Sequence, residues 1–351
     1  MVTLRGDPVY AVTKVYALKS LLLPATGLED LAYSKNLSDF VDRLRATTYG
    51  PFLATLQKPY TALEVEKALT RGLVNIHHKL VQTANRPNLL KALFTRYVYF
   101  NIKTILKSRA LGLAHDEILK RIDLYPEELL GVRDTALRAL TAKDLGEFLK
   151  EFLATPYHSI VQKAVEIWNN RRDFSAVDAV IDKGYIEQLY KAYRKTPRDE
   201  KKLLQHAMVL EIDLRALAIA IRGRLWGLVP SNLKEFLPEE TVEVPRQLLD
   251  ILVESDDVKK VLSQLPENPV FSRIRAEQDV AQVVSAIEET VKSYRVKWAS
   301  QSFYKTPFKQ LNLIAFIYLK EAEVRNLSTI AKYIEEGVSD VSVIKSSLLL
   351  V

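Results

Sequence analysis

Apolar residues along this chain recur mostly at steps of three and four. Leu210, Leu214, Leu217, Ile221 and Leu225 form one stripe at helical spacing, and Ile317, Leu327, Ile330 and Ile334 trace a second. Thr61-Ala-Leu-Glu64 stands ahead of an amphipathic run to Leu80 and predicts a capping box, in which hydroxyl and carboxylate each satisfy a backbone N–H. Thr141-Ala-Lys-Asp144 predicts the same ahead of Leu145, Phe148, Leu149 and Phe152. No convincing alternation of period two runs beyond four residues, so the predicted fold class is all-α.

The helical pattern repeats. Val98 to Gly112, Asp213 to Gly227 and Glu323 to Gly337 align without gaps, at offsets of 115 and 110 residues. Asn101, Ala216 and Asn326 correspond, as do Ile102, Leu217 and Leu327, and Lys107, Arg222 and Lys332 each stand five residues before a glycine. Gly112, Gly227 and Gly337 sit where a helix needs a left-handed C-terminal residue, and the basic residue faces the negative end of the helix dipole. Asp116, Ser231 and Ser339 are expected to cap the helices that follow. A second landmark, Leu44-x-x-Thr47-x-Tyr49, returns as Phe152-x-x-Thr155-x-Tyr157 and, degenerately, at Leu262-x-x-Leu265-x-Glu267, at offsets of 108 and 110. Together they predict three homologous helical domains, residues 1–126, 127–238 and 239–351.

Composition narrows the function classes. The absence of cysteine among 351 residues rules out disulfides, thiolate catalysis and Cys-ligated zinc. Hydrophobic residues at 48% and charged residues at 26% are ordinary for a water-soluble globular protein. The stretch Met1 to Lys14 carries Asp7 and Pro8 and no apolar core, unlike a signal peptide. Leu311 to Leu319 is about half a membrane span and is interrupted by Asn312. The net charge of +7 is modest. Its densest run, Lys191, Arg194, Lys195, Arg198, Lys201 and Lys202, reads as a solvated turn around Pro197, with Lys195, Arg198, Lys201 and Lys202 the candidate charged interface for an acidic partner or phospholipid headgroups.

Catalytic chemistry has little to stand on. No phosphate-binding loop is present, so no nucleotide site is expected. His77, His78, His115, His158 and His206 form no ligand pairing and are expected on the surface, with no metal site. Trp168, Trp226 and Trp298 read as packing residues, and Leu348 to Val351 as the last turn of a packed helix. Glu323 and Asn326 share a face with Leu327 and Ile330, and Asp213 lies beside Leu210, Leu214 and Leu217. Such carboxylates serve either as acid–base groups or as ion-paired helix crossings, with Arg325, Arg222 or Lys320 as partners. Without a nucleophile, metal set or phosphate loop beside them, the structural role is the better reading.

Tyr318-Leu-Lys-Glu-Ala-Glu-Val-Arg-Asn-Leu327 resembles the C-terminal signature of the family that comprises the C subunits of archaeal-type (A-type) ATP synthases and the d subunits of vacuolar ATPases. Glu211-Ile-Asp213 is similar to the middle copy of that motif, and Leu44-Arg-Ala-Thr-Thr-Tyr-Gly-Pro-Phe-Leu53 to the family's early segment. The chain departs from the pattern at Val98, Ala216 and Val15-Tyr-Ala-Leu18. The resemblance implies three helical domains in a pseudo-threefold funnel and a non-catalytic rotor role without a cofactor. The implied partners are the proteolipid ring and the D and F subunits of the central shaft, in a peripheral complex on the cytoplasmic face of the membrane. It implies torque passed between ion translocation and ATP synthesis or hydrolysis. A generic helical repeat adaptor is the alternative, but such repeats are shorter, roughly 34 to 47 residues. A nucleic-acid partner would rest on the net charge alone.

Overall fold

The computed structural model describes residues 8–277, 279–338 and 340–350. Asp7, Ser339 and Val351, named above, lie outside them. The described residues fold into helices and connecting turns with no strand, so the chain is all-α. Two compact units form, one from Met1–Leu90 with Arg295–Val351, the other from Lys91–Tyr294.

In the first unit the long helix Gln310–Glu335 packs along Ala62–Thr83. Their shared core contains Phe40, Leu44, Leu53, Val65, Leu327 and Ile330. Thr61 caps Ala62–Thr83 with the expected box: its hydroxyl accepts from Glu64 N–H and the Glu64 carboxylate accepts from Thr61 N–H. Ile317, Leu327 and Ile330 are buried, and Ile334 is half-buried. The C-terminal tail is not a helical turn. The last helix, Val341–Ser346, is capped by Asp340, and beyond it Leu348 is buried while Leu350 stays exposed.

In the second unit the helices His158–Arg171 and Phe174–Arg194 form an antiparallel pair. The middle apolar stripe is interrupted by a π-helical turn at Val209–Asp213 before the helix Leu214–Leu225 begins. The wider turn disturbs the regular period but leaves Leu210, Leu214, Leu217 and Ile221 buried. Leu225, at the end of the stripe, is exposed instead.

The repeated helix ends are alike in hydrogen bonding as well as in sequence. Gly112, Gly227 and Gly337 have φ of 70°, 72° and 72°. At each, the glycine N–H donates to the carbonyl of Arg109, Arg224 or Ile334, and the next N–H donates to Ser108, Gly223 or Tyr333. This is a Schellman closure, and its left-handed residue favours glycine. The second landmark also keeps its geometry. The Thr47 and Thr155 hydroxyls donate to the carbonyls of Leu44 and Phe152 at 2.7 and 2.8 Å, and each accepts the N–H of the tyrosine two residues on at 3.2 Å. The degenerate copy retains the backbone bond Leu265 N–H to Leu262 carbonyl at 3.2 Å.

Other caps differ from expectation for a steric reason. Leu113 and Leu228 complete the Schellman closures, and helices restart at His115 and Pro230. Ala114 and Val229 therefore occupy the capping positions, and Asp116 and Ser231 already lie in the first turn. Thr141 ends the helix Arg133–Thr141, so Asp144 caps Leu145–Glu151, accepting from Glu147 N–H. Trp168 and Trp298 pack inside, but Trp226 is exposed. His77 is fully buried, with Nε2 3.1 Å from the Leu90 carbonyl, because the helix Ala62–Thr83 turns it inward.

Candidate functional site

The polar residues singled out on the repeated helices sit at buried junctions with distant segments. Glu323 lies on the inward face of Gln310–Glu335, with its side chain and that of Lys320 only 4% and 3% exposed. One carboxylate oxygen accepts the Leu23 N–H at 2.6 Å, and the other accepts from the Tyr49 hydroxyl at 2.6 Å and Lys320 Nζ at 2.5 Å. The Lys320 ammonium also lies 4.0 Å from the Tyr49 ring centroid. Burial, reinforced by the neighbouring carboxylate, pushes the Tyr49 hydroxyl far above its ordinary value. Burial lowers Lys320, against the pull of Glu323.

Asn326, one turn on, holds the C-terminal tail. Its amide donates to the Leu349 carbonyl at 3.0 Å, and its carbonyl accepts the Leu349 N–H at 2.8 Å. Arg325 points outward and is exposed, so it is not the partner of Glu323. Arg222 pairs with Glu288 at 2.6 Å rather than with a buried carboxylate.

Asn101 plays a comparable part on the first repeated helix, Arg96–Ala110. Its amide nitrogen reaches the Asp123 carbonyl at 2.8 Å and both Glu127 carboxylate oxygens at 3.0 Å. Ala216 has no side chain for this task. In that repeat Asp213 takes it over from the π turn, accepting the N–H groups of Val242, Glu243 and Val244 at 2.7 to 2.9 Å. Val98, which stands at the position of Asp213 and Glu323 in the first copy, is simply buried.

Two of these carboxyls are held near neutrality. Burial lifts Glu127 to about 7, against the opposing Asn101 hydrogen bond. It lifts Asp213 to about 7 as well, outweighing the three backbone amides. For Glu127 the folded value exceeds the ordinary 4.5, so its contribution to stability is fullest below that pH and disappears as pH rises through about 7. Glu127→Gln is therefore expected to flatten the decline in stability between pH 4.5 and 7, by about 3 kcal/mol at most. Urea unfolding of both proteins across that range measures it.

A cavity of about 260 Å³ opens beside Glu323, between Lys19, Leu28, Ala322, Asn326 and Leu350. Both Glu323 oxygens, however, are committed to donors of the fold itself. Among the described residues no cluster of His, Asp or Glu could hold a metal ion. Sequence reasoning missed Glu127 and Tyr49 as partners in these junctions.

The basic run turns out to be a helix junction. Phe174–Arg194 ends, Lys195 closes it, and Arg198–Met208 starts after Pro197. Lys195, Arg198 and Lys202 are exposed, Lys201 is half-buried with Nζ 5.8 Å from the Tyr193 ring centroid, and Arg194 pairs with Glu240 at 3.1 Å.

The buried polar junctions tie these helices to distant segments, and comparison with known families places the chain. The model of the ATP synthase (C/AC39) subunit family matches residues 11–344. The chain belongs to that family. Among its relatives is the C subunit of the A-type ATP synthase of Pyrococcus horikoshii, 26% identical over 93% of this chain and 86% of the relative. The corresponding A-type ATP synthase C subunits of Thermococcus kodakarensis and of a Desulfurococcus species are each 26% identical as well, over 93% and 94% of this chain and 87% of either relative. Among the described residues no helix is long and apolar enough to cross a membrane.

Proposed function

We propose that this protein is a non-catalytic central-stalk subunit of a rotary A/V-type ATPase, joining the proteolipid ring to the shaft formed by the D and F subunits. The family match across residues 11–344 carries this reading. The recurring Schellman ends at Gly112, Gly227 and Gly337 support a triplicated design with domains 1–126, 127–238 and 239–351. A torque-bearing spacer needs stiffness rather than reactivity. Asn101, Asp213, Glu323 and Asn326 provide it by tying helices to segments 22 to 300 residues away. In this reading the chain sits on the cytoplasmic face and reaches the membrane through the ring. Affinity purification of the tagged chain from its own membranes tests it. The ring and shaft proteins should co-purify from detergent extracts, and their absence would favour a generic helical adaptor.

The exposed junction around Pro197 is the proposed charged contact. Changing Lys195, Arg198, Lys201 and Lys202 to Glu should leave the helical fold intact, since substitutions at exposed positions each shift stability by about 0.5 kcal/mol or less and only Lys201 is half-buried. Assembly with shaft or ring should weaken at low salt, and the difference from wild type should shrink at high salt. Circular dichroism and pull-down across a salt series measure both.

A further inference from the structure

An aromatic and basic face of the first unit has no part in the junctions above. Its two segments contain no acidic residue: none occurs between Pro8 and Leu22, and none between Arg295 and Leu319. They meet where the Tyr16 ring lies 4.9 Å from Phe303 and 5.7 Å from Tyr304. On the same two segments Val9, Tyr10, Leu21, Tyr304 and Phe308 are exposed, at 51, 39, 54, 61 and 49%. Lys14 and Lys19 are interleaved with them, Lys19 with Nζ 4.8 Å from the Tyr304 ring centroid, and Lys305 is exposed beside it. Of the carboxylates that flank these segments, Glu29 pairs with Lys345 at 2.8 Å, Glu321 with Arg295 at 3.2 Å and Glu323 with Lys320 at 2.5 Å, while Asp30 is exposed.

The display of these aromatics is built into the fold. Asn312, fully buried, fastens both ends of the loop, donating to the Phe303 carbonyl at 2.5 Å and accepting the Lys309 N–H at 3.1 Å. Between these ties Phe308 holds φ at 61°, a left-handed conformation unfavourable for an aromatic residue, and yet its ring is exposed. A strained backbone that turns a large apolar ring into solvent gains nothing in the isolated chain and marks a candidate contact residue.

We propose that this face of the first unit lies against the headgroups of an anionic phospholipid bilayer. Tyrosine and phenylalanine settle at the headgroup level, and lysine extends its ammonium to phosphate along an apolar stem. The cations beside the exposed rings are lysines, point charges suited to a fluid headgroup layer; arginine is the residue that forks onto carboxylates of a protein partner. The proposal does not depend on the stalk role, since the purified chain alone can be tested.

Sedimentation of the full chain with vesicles of phosphatidylcholine containing phosphatidylglycerol, and with phosphatidylcholine alone, is the test. Binding is expected to the anionic vesicles, to weaken with salt, and to fall about fivefold for each of Lys14→Gln, Lys19→Gln and Lys305→Gln. Tyr304→Ser should weaken binding too. Phe308→Asn separates function from folding: asparagine tolerates the left-handed conformation, so the melting temperature should hold or rise while vesicle binding drops. Equal binding to both vesicle types, or binding untouched by these variants, would overturn the proposal. So would failure to bind any vesicle, even if the same variants lost affinity for an acidic protein partner.

Discussion

Glu323→Ala is expected to lower stability by about 3–5 kcal/mol, because it strands a buried ammonium. Lys320 would lose its counter-ion with its side chain only 3% exposed, and the Leu23 N–H and Tyr49 hydroxyl would lose their acceptor at the same time. Removing the charge together with its partner isolates the cause. Lys320→Met combined with Glu323→Gln should recover most of the loss, since the glutamine can still accept from Tyr49 or Leu23. Denaturant unfolding of Lys320→Met, Glu323→Gln and the double variant gives the coupling. A Glu323→Ala protein within about 1 kcal/mol of wild type would show that the junction does not hold the unit together.

Asp213→Ala is expected to cost about 3 kcal/mol, for a different reason. Three consecutive amides, Val242, Glu243 and Val244, converge on this carboxylate, and the Val244 contact is fully buried. Hydrogen exchange localises the effect: the amides of residues 242 to 244 should lose protection well before those of the helix Leu214–Leu225. Asp213→Asn, which keeps one good acceptor, should fall between the alanine variant and wild type.

What could be read in advance was the chemistry that acts within a few residues. The glycines at 112, 227 and 337, the basic residues before them and the Thr61 box depend on neighbours one turn away, so sequence spacing reports them directly. Asp213, Asn101, Glu323 and Asn326 stood out because polar groups on apolar stripes must find partners. The partners themselves were hidden, since Leu23 and Tyr49 lie 300 and 274 residues from Glu323 and carry no local mark of that meeting. Lys320 was recoverable, being three residues from Glu323 on the same helix face. The π turn at Val209–Asp213 was not, because leucine and isoleucine at those positions suit a regular helix equally well. Asp116 and Ser231 misled because a Schellman closure consumes the residue after glycine and leaves a single position for the next cap.

The stalk assignment turns on coupling, which can be measured without knowing any interface. Membrane vesicles from cells lacking this chain should retain ATP hydrolysis by the catalytic head but lose ATP-driven ion uptake, because the shaft would turn without the ring. Adding back the purified chain should restore uptake. Ion pumping that continues at the wild-type rate in its absence would contradict the assignment.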